Sequence, residues 1–552
     1  MPENHGGPRK PGMRPMRASK PGEKRPAGDR PFRPEGRPEG ERPWTREGRP
    51  AGDRPFRRES RPEGERPWKR DGRPSGNRPL KGNARPTGDR PFHRDARPAG
   101  RPKASTLGAR RVALDTLLDV SRNGAYASLA LDKRLRNAGL SERDRAFATQ
   151  IVYGTLENRI RLDYQIDHYL NDQGELEPTV REILRMSTYQ LFYLSRVPDM
   201  AAVDEAVQLT RAMGLEALTG LTNAVLRTMI REKDSLKWPS PQDDPERYLS
   251  ITFSAPLALC RLLIEAWGAH GAMEILRHRP QSRLNSIRLN ATRCTPERLE
   301  HLLREEGLRY SRSSVPGVYL LQGAGDLTSL RGFENGLFTI QGESSVLAAR
   351  ALQAQPGQIV LDACAAPGGK SAVLSEDMQD SGRVYAWDTH PHRVELIRKT
   401  AQRLHLENIR PMLRDAAQPR PEMAGTLDAA LIDAPCSGTG VFGEKPDLKY
   451  RVSEEGVASL TEIQDAILEA VAPMVKPGGT LVYSTCSILP RENAERVRAF
   501  LASHPEYEPY PMGELLPEAL RAWEAPEGLQ LLAHRDGMDG FFIARLRRKK
   551  TR

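Results

Sequence analysis

Cysteine is scarce in this chain of 552 residues, and that scarcity excludes one class of protein. The chain has 5 cysteines, all of them after residue 259. An odd number of widely spaced thiols does not form the disulfide framework on which many small secreted domains depend. We therefore expect a protein of a reducing compartment, the cytoplasm.

Long hydrophobic runs are also missing from the sequence. No apolar stretch approaches the roughly 20 residues that a membrane-spanning helix needs. The first residues, MPENHGGPRK, lack the apolar core of a signal peptide. The sequence therefore predicts a soluble cytoplasmic protein without a membrane partner.

Positive charge is concentrated at one end of the chain. Residues 1–100 contain 27 lysines and arginines against 14 acids, whereas the remaining residues contain 57 against 58. A basic segment of this kind favours polyanions, nucleic acid above all. A disordered, solubilising leader is the alternative interpretation.

Residues 28–99 are six tandem units of 12 residues, beginning with GDRPFRPEGRPE and GERPWTREGRPA. Each unit has one Phe, Trp or Leu among Arg, Pro and Gly, too little apolar surface to offset the entropy cost of ordering. We predict that residues 1–104 are disordered. Their arginines and aromatic rings suit stacking on unpaired bases, and low-complexity sequence without a specific ligand is the alternative.

Residues 105–235 have the periodicity of an all-helical domain. The segment RRVALDTLLDV places Ala113, Leu114, Leu117 and Leu118 on one helical stripe. A second segment opens with Ser141 and has an acid three residues later, which is typical of a capped helix start. Periodicity alone assigns this bundle no function.

The rest of the chain divides into two further predicted domains. Residues 236–330 mix helical segments such as TPERLEHLLREEG with strands such as NSIRLNAT, which predicts a small α+β module. Residues 331–552 alternate apolar strands with helices, which predicts a Rossmann-like, doubly wound and mostly parallel sheet. We expect the segment DGFFIARL to be its last, edge strand.

Ligands of such sheets bind at the carboxyl ends of the strands, and here the first of these ends carries a turn of small residues. The sequence LDACAAPGGKS places Asp362 before this turn and a helix start after it. Asp388 and Asp415 follow at the next two strand ends. Without a six-residue glycine fingerprint, this order favours a nucleoside bearing a carboxylate, S-adenosylmethionine, over a dinucleotide. Ordinary strand-end turns are the alternative. The turn runs through Cys364, Ala365, Ala366, Pro367, Gly368, Gly369 and Lys370, and its small residues let the backbone approach a ligand closely.

Two further strand ends carry thiols: LIDAPCSGTG supplies Asp433 and Cys436, and LVYSTCS supplies Cys486. Buried structural cysteines are common. However, a thiolate beside a methyl donor has a defined use, because its addition to carbon 6 of cytosine makes carbon 5 nucleophilic. Asp433 is placed to hold a proton near ring nitrogen 3, and the target base must leave its stack. Without a C-x-x-C pair, we expect no metal at Cys364, Cys436 and Cys486.

These motifs, with PDLKYR and YSTCSILPRENAERV, resemble the signature of the RNA 5-methylcytosine methyltransferases. Residues 105–235, with YASLALDKRL and LSERDRAFATQIVYGTL, resemble the NusB-like RNA-binding domain. The order of segments over about 105–550 is similar to the bacterial 16S ribosomal RNA cytosine-C5 methyltransferases of the Sun/Fmu type. The resemblance implies that Cys486 is the nucleophile and that Cys436 aids breakdown of the adduct. It implies cofactor contacts at residues 364–370, Asp388, Asp415 and Asp433.

Several alternatives remain open at this point. The chain is expected to bind RNA, with 16S ribosomal RNA as the favoured substrate, no DNA, and to act as a monomer. A non-catalytic RNA-binding assembly factor is the second hypothesis, and a methyltransferase of proteins or small molecules is the third. Spacing alone does not decide which thiol attacks. Lys445, Lys449 and Arg451 are candidates for RNA phosphates or for a solvated charged face.

Overall fold

The computed structural model describes residues 104–170, 175–278, 284–443 and 445–550. Residues 1–103 of the predicted disordered tail lie outside the described residues. Seven α-helices come first in the described chain and pack around a shared apolar core. They are α1 (Ala104–Asn123), α2 (Ala127–Asn137), α3 (Glu142–Glu157), α4 (Arg159–His168), α5 (Pro178–Tyr193), α6 (Asp199–Ala212) and α7 (Thr219–Arg231).

The local sequence accounts for how these helices begin and which face they bury. All four predicted stripe residues of α1 are at most 7% exposed, as the helical spacing requires. Ser141 caps α3, since its hydroxyl accepts the backbone N–H of Asp144 at 3.2 Å. The predicted helical segment and its capped start are confirmed.

Two more helices, α8 (Pro245–Phe253) and α9 (Leu257–Arg277), connect this bundle to the rest of the chain. Over the described residues, no single helix is long and apolar enough to cross a membrane. Of the helices described, only this pair, taken together and bent by 118°, has the length and composition of a membrane span. Leu259 and Leu263 of α9 are fully buried in a cluster with Ile488 and Leu489 of the large sheet domain. The pair therefore fills the space between the bundle and that domain.

A small antiparallel sheet follows, with strand order β2-β3-β1-β4. Its elements are β1 (Leu284–Leu289), α10 (Pro296–Glu305), β2 (Arg309–Arg312), β3 (Val318–Gln322), α11 (Arg331–Glu334) and β4 (Phe338–Ile340). Because β4 pairs with β1 through Ile340 and Ile287, this module extends beyond the predicted boundary at residue 330. The short FTI strand carries too little pattern to be separated from the sequence that follows it.

The remaining residues form a nine-stranded sheet with helices on its faces, in the order β11-β12-β13-β9-β8-β5-β6-β7, with β10 also pairing β13. Its elements are α12 (Glu343–Arg350), β5 (Ile359–Asp362), α13 (Gly369–Asp377), β6 (Arg383–Asp388), α14 (Pro391–Leu404), β7 (Ile409–Leu413), β8 (Leu427–Asp433), α15 (Glu454–Val471), β9 (Val475–Thr485), α16 (Ala494–Ser503), β10 (Tyr507–Pro509), α17 (Glu518–Arg521), β11 (Glu524–Ala525), β12 (Gly528–Leu531), α18 (Ala533–Asp536) and β13 (Phe541–Arg548).

This sheet is mixed and not mostly parallel. The strands β9, β8, β5, β6 and β7 are parallel neighbours, while β13 pairs antiparallel with β9 on one side and with β12 on the other. The expected edge strand DGFFIARL is therefore internal. Its apolar sequence fits this position, since residues 541–546 are all buried.

Gly154 of α3 provides a test of how the helical bundle packs. A Cβ at Gly154 would lie 1.9 Å from Cζ of Tyr189 on α5. We expect Gly154→Ala to lower stability by about 1–3 kcal/mol through overpacking. Gly220→Ala on α7 is the matched control, because nothing lies within 4 Å of its Cβ position. Thermal unfolding of both variants measures the difference, and equal melting temperatures would contradict this packing.

Candidate active site

The small-residue turn joins the carboxyl end of β5 to the start of α13. Asp362 is fully buried; its Oδ2 accepts the Ser371 hydroxyl at 2.6 Å, while its Oδ1 is buried without a partner. Burial raises the pKa of Asp362 to about 7. Gly368 has φ +103°, and a Cβ there would lie 3.2 Å from Ile397 and Thr400 of α14. The turn thus needs glycine for both its conformation and its close contact with α14.

The next two strand ends carry acids in different surroundings. Asp388 at the end of β6 is 4% exposed, accepts the backbone N–H of His390 at 3.1 Å, and lies 3.6 Å from Arg393. Asp415, after β7, is exposed, and its Oδ1 accepts the backbone N–H of Ala417 at 3.0 Å. Asp415 therefore holds its own turn, and no hydrogen bond or ion pair joins its side chain to another predicted site residue in the described part of the chain.

Asp433 joins the cofactor turn to the thiol-bearing strands. It ends β8, and its Oδ2 accepts a hydrogen bond from Lys370 of α13 at 2.8 Å. Its Oδ1 accepts the hydroxyl of Ser484, near the end of β9, at 2.9 Å. Both oxygens of this carboxylate are thus oriented by neighbours on different elements.

The structure brings two predicted thiols together. The Sγ atoms of Cys436 and Cys486 lie 3.1 Å apart, although the residues are separated by 50 positions in the chain. Their loops leave the parallel neighbours β8 and β9 at the same edge. A backbone hydrogen bond of 2.9 Å from Gly440 to the carbonyl of Cys486 joins the loops again beyond the sulfurs.

The two thiols have opposite electrostatic surroundings. The hydrogen bond from Cys436, with the positive charges of Lys370 and Lys445, lowers the pKa of Cys486. The hydrogen bond to Cys486, burial, and the charge of Glu492 raise the pKa of Cys436. These opposite directions favour the proton of the pair on Cys436 and thiolate character on Cys486.

One buried carboxylate, absent from the predicted site, sets the separation of the two loops. Glu492 is fully buried, and its oxygens accept the N–H of Ser437 at 2.8 Å and the hydroxyls of Ser437 and Ser487, both at 2.5 Å. These serines directly follow the two cysteines in the chain. Gln464 of α15 donates to the same carboxylate at 3.2 Å. No lysine or arginine forms an ion pair with Glu492 among the residues described.

Two of the three candidate phosphate-binding cations serve the contact between domains instead. Lys449 is 6% exposed and donates to the carbonyls of Glu157 at 2.7 Å and Phe253 at 3.3 Å, at the ends of α3 and α8. Arg451 donates to the carbonyl of Gly124 at 2.8 Å, just after α1. Only Lys445 is exposed and close to the thiol pair. The segment after the Cys436 loop thus binds free carbonyls at helix ends.

Most of the predicted residues meet at one edge of the sheet. The turn at residues 364–370, Asp433, Cys436 and Cys486 are linked through Lys370 and Ser484. Cys364 packs against a different apolar cluster from Cys486, and its pKa is raised by burial and by nearby carboxylates. In the described part of the chain, no group of three or more His, Cys, Asp or Glu side chains is arranged to hold a metal ion.

Comparison with known proteins shows which family has this arrangement. Residues 349–547 match the model of the 16S rRNA methyltransferase RsmB/F family, and residues 107–231 match that of the NusB family. Over 444 residues the chain is 38% identical to the probable ribosomal RNA small subunit methyltransferase B of Bacillus subtilis (strain 168), covering 80% of this chain and 98% of that protein. The chain belongs to the RsmB/F methyltransferase family.

Another RsmB/F relative and a solved structure are similar to this chain over nearly their whole length. The ribosomal RNA small subunit methyltransferase B of Thermus thermophilus is 35% identical over 443 residues, which cover 80% of this chain and 97% of that protein. The crystal structure of PH0851 superimposes with a TM-score of 0.68 at 25% identity, covering 80% of this chain and 98% of that one. The uncovered 20% of this chain corresponds in length to its N-terminal segment, residues 1–104.

RsmB/F proteins are S-adenosylmethionine-dependent rRNA methyltransferases, and the turn after β5 fits that cofactor. The buried, unpartnered Oδ1 of Asp362 lies beside it. Gly368 allows the backbone to turn where a side chain would not fit. The carboxylate of Asp388 lies at the position that holds a ribose in doubly wound sheets. S-adenosylmethionine is thus the cofactor of this chain, and when bound it would supply an electrophilic methyl group.

Removing Glu492 should separate the two thiol loops. We expect Glu492→Ala to slow diamide-driven disulfide formation between Cys436 and Cys486 by about tenfold, because a lost buried acceptor costs on the order of 1–3 kcal/mol. Glu492→Gln, which keeps one acceptor, should give an intermediate rate. Glu495→Ala, on α16, is the matched control. Unchanged oxidation in Glu492→Ala would show that other contacts set the loop separation.

The protonation of the pair predicts a pH dependence. The hydrogen bond from Cys436 is the main cause that lowers the pKa of Cys486. Cys436→Ala removes it, so the pKa of Cys486 should rise and its alkylation by iodoacetamide should require a higher pH. The pH profile of Cys486 labelling, read by peptide mass spectrometry, measures this shift. A profile that stays in place or moves to lower pH would contradict the assigned proton position.

Proposed function

We propose that this protein transfers a methyl group from S-adenosylmethionine to carbon 5 of a cytosine in 16S ribosomal RNA, through a covalent adduct with Cys486. The observation that carries this proposal is the pair of sulfur atoms 3.1 Å apart beside the cofactor turn. A methyltransferase acting on an oxygen or nitrogen has no use for two thiols there. The names of the small-subunit rRNA methyltransferases among its relatives support 16S RNA as the substrate.

The reaction begins at Cys486. Its thiolate donates an electron pair to carbon 6 of cytosine and forms a sulfur–carbon bond. The electrons of the carbon 5–carbon 6 double bond then become available at carbon 5. The bound cofactor supplies the electrophilic methyl group that carbon 5 attacks. The hydrogen bond from Cys436, with the charges of Lys370 and Lys445, lowers the pKa of the thiol, which favours the attacking form.

Asp433 is assigned to the opposite side of the base. Addition at carbon 6 places negative charge on ring nitrogen 3, and we assign Asp433 to share a proton with that nitrogen, which nitrogen 3 gives up again when the adduct breaks down. Lys370, bonded to Asp433 Oδ2 at 2.8 Å, stabilises the carboxylate that remains. Ser484 holds the other oxygen in place at 2.9 Å. Asp433 is thus oriented for proton transfer at a defined atom.

Cys436 is assigned to the release step. After methylation, carbon 5 carries both a proton and the new methyl group. When a base removes that proton, the electron pair restores the double bond and the bond between Cys486 and carbon 6 breaks. Cys436 is the protonated partner that hydrogen-bonds to the Cys486 sulfur. It therefore stabilises the departing thiolate and favours product release.

The remaining site assignments concern cofactor and RNA. We assign the turn of residues 364–370, Asp388, Asp415 and Asp433 to S-adenosylmethionine, and the helical bundle to RNA, as in the NusB family that it matches. A non-catalytic assembly factor would need neither the lowered pKa of Cys486 nor the buried Glu492 that holds both loops. The geometry therefore favours the enzyme.

Replacing each thiol should give a different outcome with a 16S RNA fragment and labelled cofactor. We expect Cys486→Ala to abolish methylation and any covalent RNA complex. Cys436→Ala should retain attack and accumulate a protein–RNA adduct, visible as a slow band on a denaturing gel. Cys294→Ala, outside the cleft, is the control and should behave as the wild type. The reverse pattern would exchange the two thiol roles, and active Cys486→Ala would refute the adduct.

A further inference from the structure

A cavity lies toward the amino-terminal ends of the strands of the large sheet, opposite the strand ends that carry the thiol pair. Its volume is about 730 Å³, and its lining includes Asp428 at the start of β8, Thr480 of β9 and Arg545 of β13. β9 continues for five residues from Thr480 to Thr485, its last residue before Cys486. At about 3.3 Å per residue, these five residues separate the cavity from the thiol pair along β9. The methylation chemistry makes no use of this cavity.

The buried cation of this cavity lacks a counter-charge. Arg545 is 7% exposed, and its Nε is buried without a hydrogen-bond partner. Its other nitrogens donate to the side-chain oxygen of Gln353 and to the carbonyl of Pro511, both uncharged. Burial lowers the pKa of Arg545, whereas a hydrogen bond to the Tyr510 side chain and the charge of Glu524 act in the opposite direction. The Glu524 carboxylate itself binds the backbone N–H groups of residues 512 and 513. A buried charge without an opposite partner is costly, which indicates that an anion completes the site.

The rim of the cavity adds further positive charge. Tyr510 lies with its ring 3.8 Å from the Arg545 guanidinium and 4.7 Å from that of Arg547. Lys549 and Lys550 follow at the end of β13, and both are exposed. The side chain of Lys550 extends over the Gly478 turn of β9. Two guanidinium groups against one aromatic ring concentrate positive charge at the rim, which suits a nucleic-acid backbone.

The acids of this cavity are already engaged. Asp428 accepts hydrogen bonds from Lys476 at 2.6 Å and from the backbone N–H of Ile359 at 2.8 Å. Glu508 pairs with Arg547 at 2.7 Å. Arg545 and Lys550 therefore remain as cations without a carboxylate partner among the described residues. The net charge available to a ligand is positive.

We propose that this cavity binds a backbone phosphate of the RNA substrate, at a point remote from the methylated cytosine, with Arg545 at its base and Lys550 at its rim. A guanidinium and a lysine are the groups that proteins use most for phosphate. The inference rests on the RNA substrate of the proposed function, but not on the route of methyl transfer. It implies that the RNA contacts both edges of the sheet and is longer than the target loop alone.

Two variants separate ligand binding from a structural role of the cavity. Arg545→Met keeps the volume and removes the buried charge, and Lys550→Glu reverses an exposed charge at the rim. Lys399→Glu, on an exposed position of α14 outside the cavity, is the matched control. Fluorescence anisotropy of a labelled 16S RNA fragment with the full chain gives affinity at several salt concentrations.

We expect Arg545→Met and Lys550→Glu to weaken RNA binding about tenfold at low salt and to lower the salt dependence by about one phosphate contact. The Lys399→Glu control should lose less RNA affinity than either variant. The melting temperature of RNA-free Arg545→Met should be unchanged or higher, because an unpaired buried charge has been removed. Wild-type RNA affinity in both variants, or a lower melting temperature of Arg545→Met with intact RNA binding, would overturn the proposal.

Inorganic phosphate tests whether the cavity binds a free anion and not RNA. If millimolar phosphate raises the melting temperature of the wild type but not of Arg545→Met, and RNA affinity also falls in the variant, the RNA assignment holds. Stabilisation by phosphate with unchanged RNA affinity would assign the cavity to a free anion and overturn it. Methyl transfer by Arg545→Met to a short RNA that holds only the target loop is measured in parallel, so a failure of the methylation mechanism would be recognised separately.

Discussion

The carboxylate of Glu492 is the constraint on which the candidate active site depends. It is fully buried, and it binds the serines that follow Cys436 and Cys486 in two loops far apart in the chain. A buried carboxylate without a cation is stable only if its acceptor sites are filled. Here they are filled by both loops and by Gln464. The hydrogen bonds that stabilise the buried charge of Glu492 therefore also hold the loops of Cys436 and Cys486 together.

The same region bonds the thiol loops to the helical bundle. Asp447 accepts the backbone N–H of Ala127 at 3.3 Å, and Tyr450 donates to the carbonyl of Leu156 at 2.7 Å. These residues follow the Cys436 loop directly, so the helical bundle, which we propose binds RNA, is bonded to the segment that carries Cys436. At the far end of the strands, the proposed phosphate site around Arg545 would give the RNA a second point of attachment. On these two proposals, RNA contacts lie at both ends of the sheet's strands.

Local patterns in the sequence predicted the helical segment, the parallel strands and the strand-end residues, because these depend on neighbours within a few positions. Glu492 was missed because its partner Ser437 lies 55 residues away, and nothing in PRENAERV indicates that contact. The internal place of β13 depends on pairing with β9, which no local pattern encodes. Lys449 was considered for phosphate because its charge is visible in sequence, whereas its burial against two helix ends is not. The roles of Cys436 and Cys486 came from resemblance and stay predictions.

The central claim is that Cys486, and not Cys436, forms the covalent bond to RNA. The most direct measurement uses an RNA fragment with 5-fluorocytosine at the target position, in which the fluorine replaces the proton that must leave, so the adduct is trapped. Nuclease and protease digestion followed by mass spectrometry then identifies the modified peptide. The account predicts a methylated nucleotide attached to the peptide that contains Cys486. Attachment to the peptide with Cys436, or methylated RNA without any attached peptide, would contradict it.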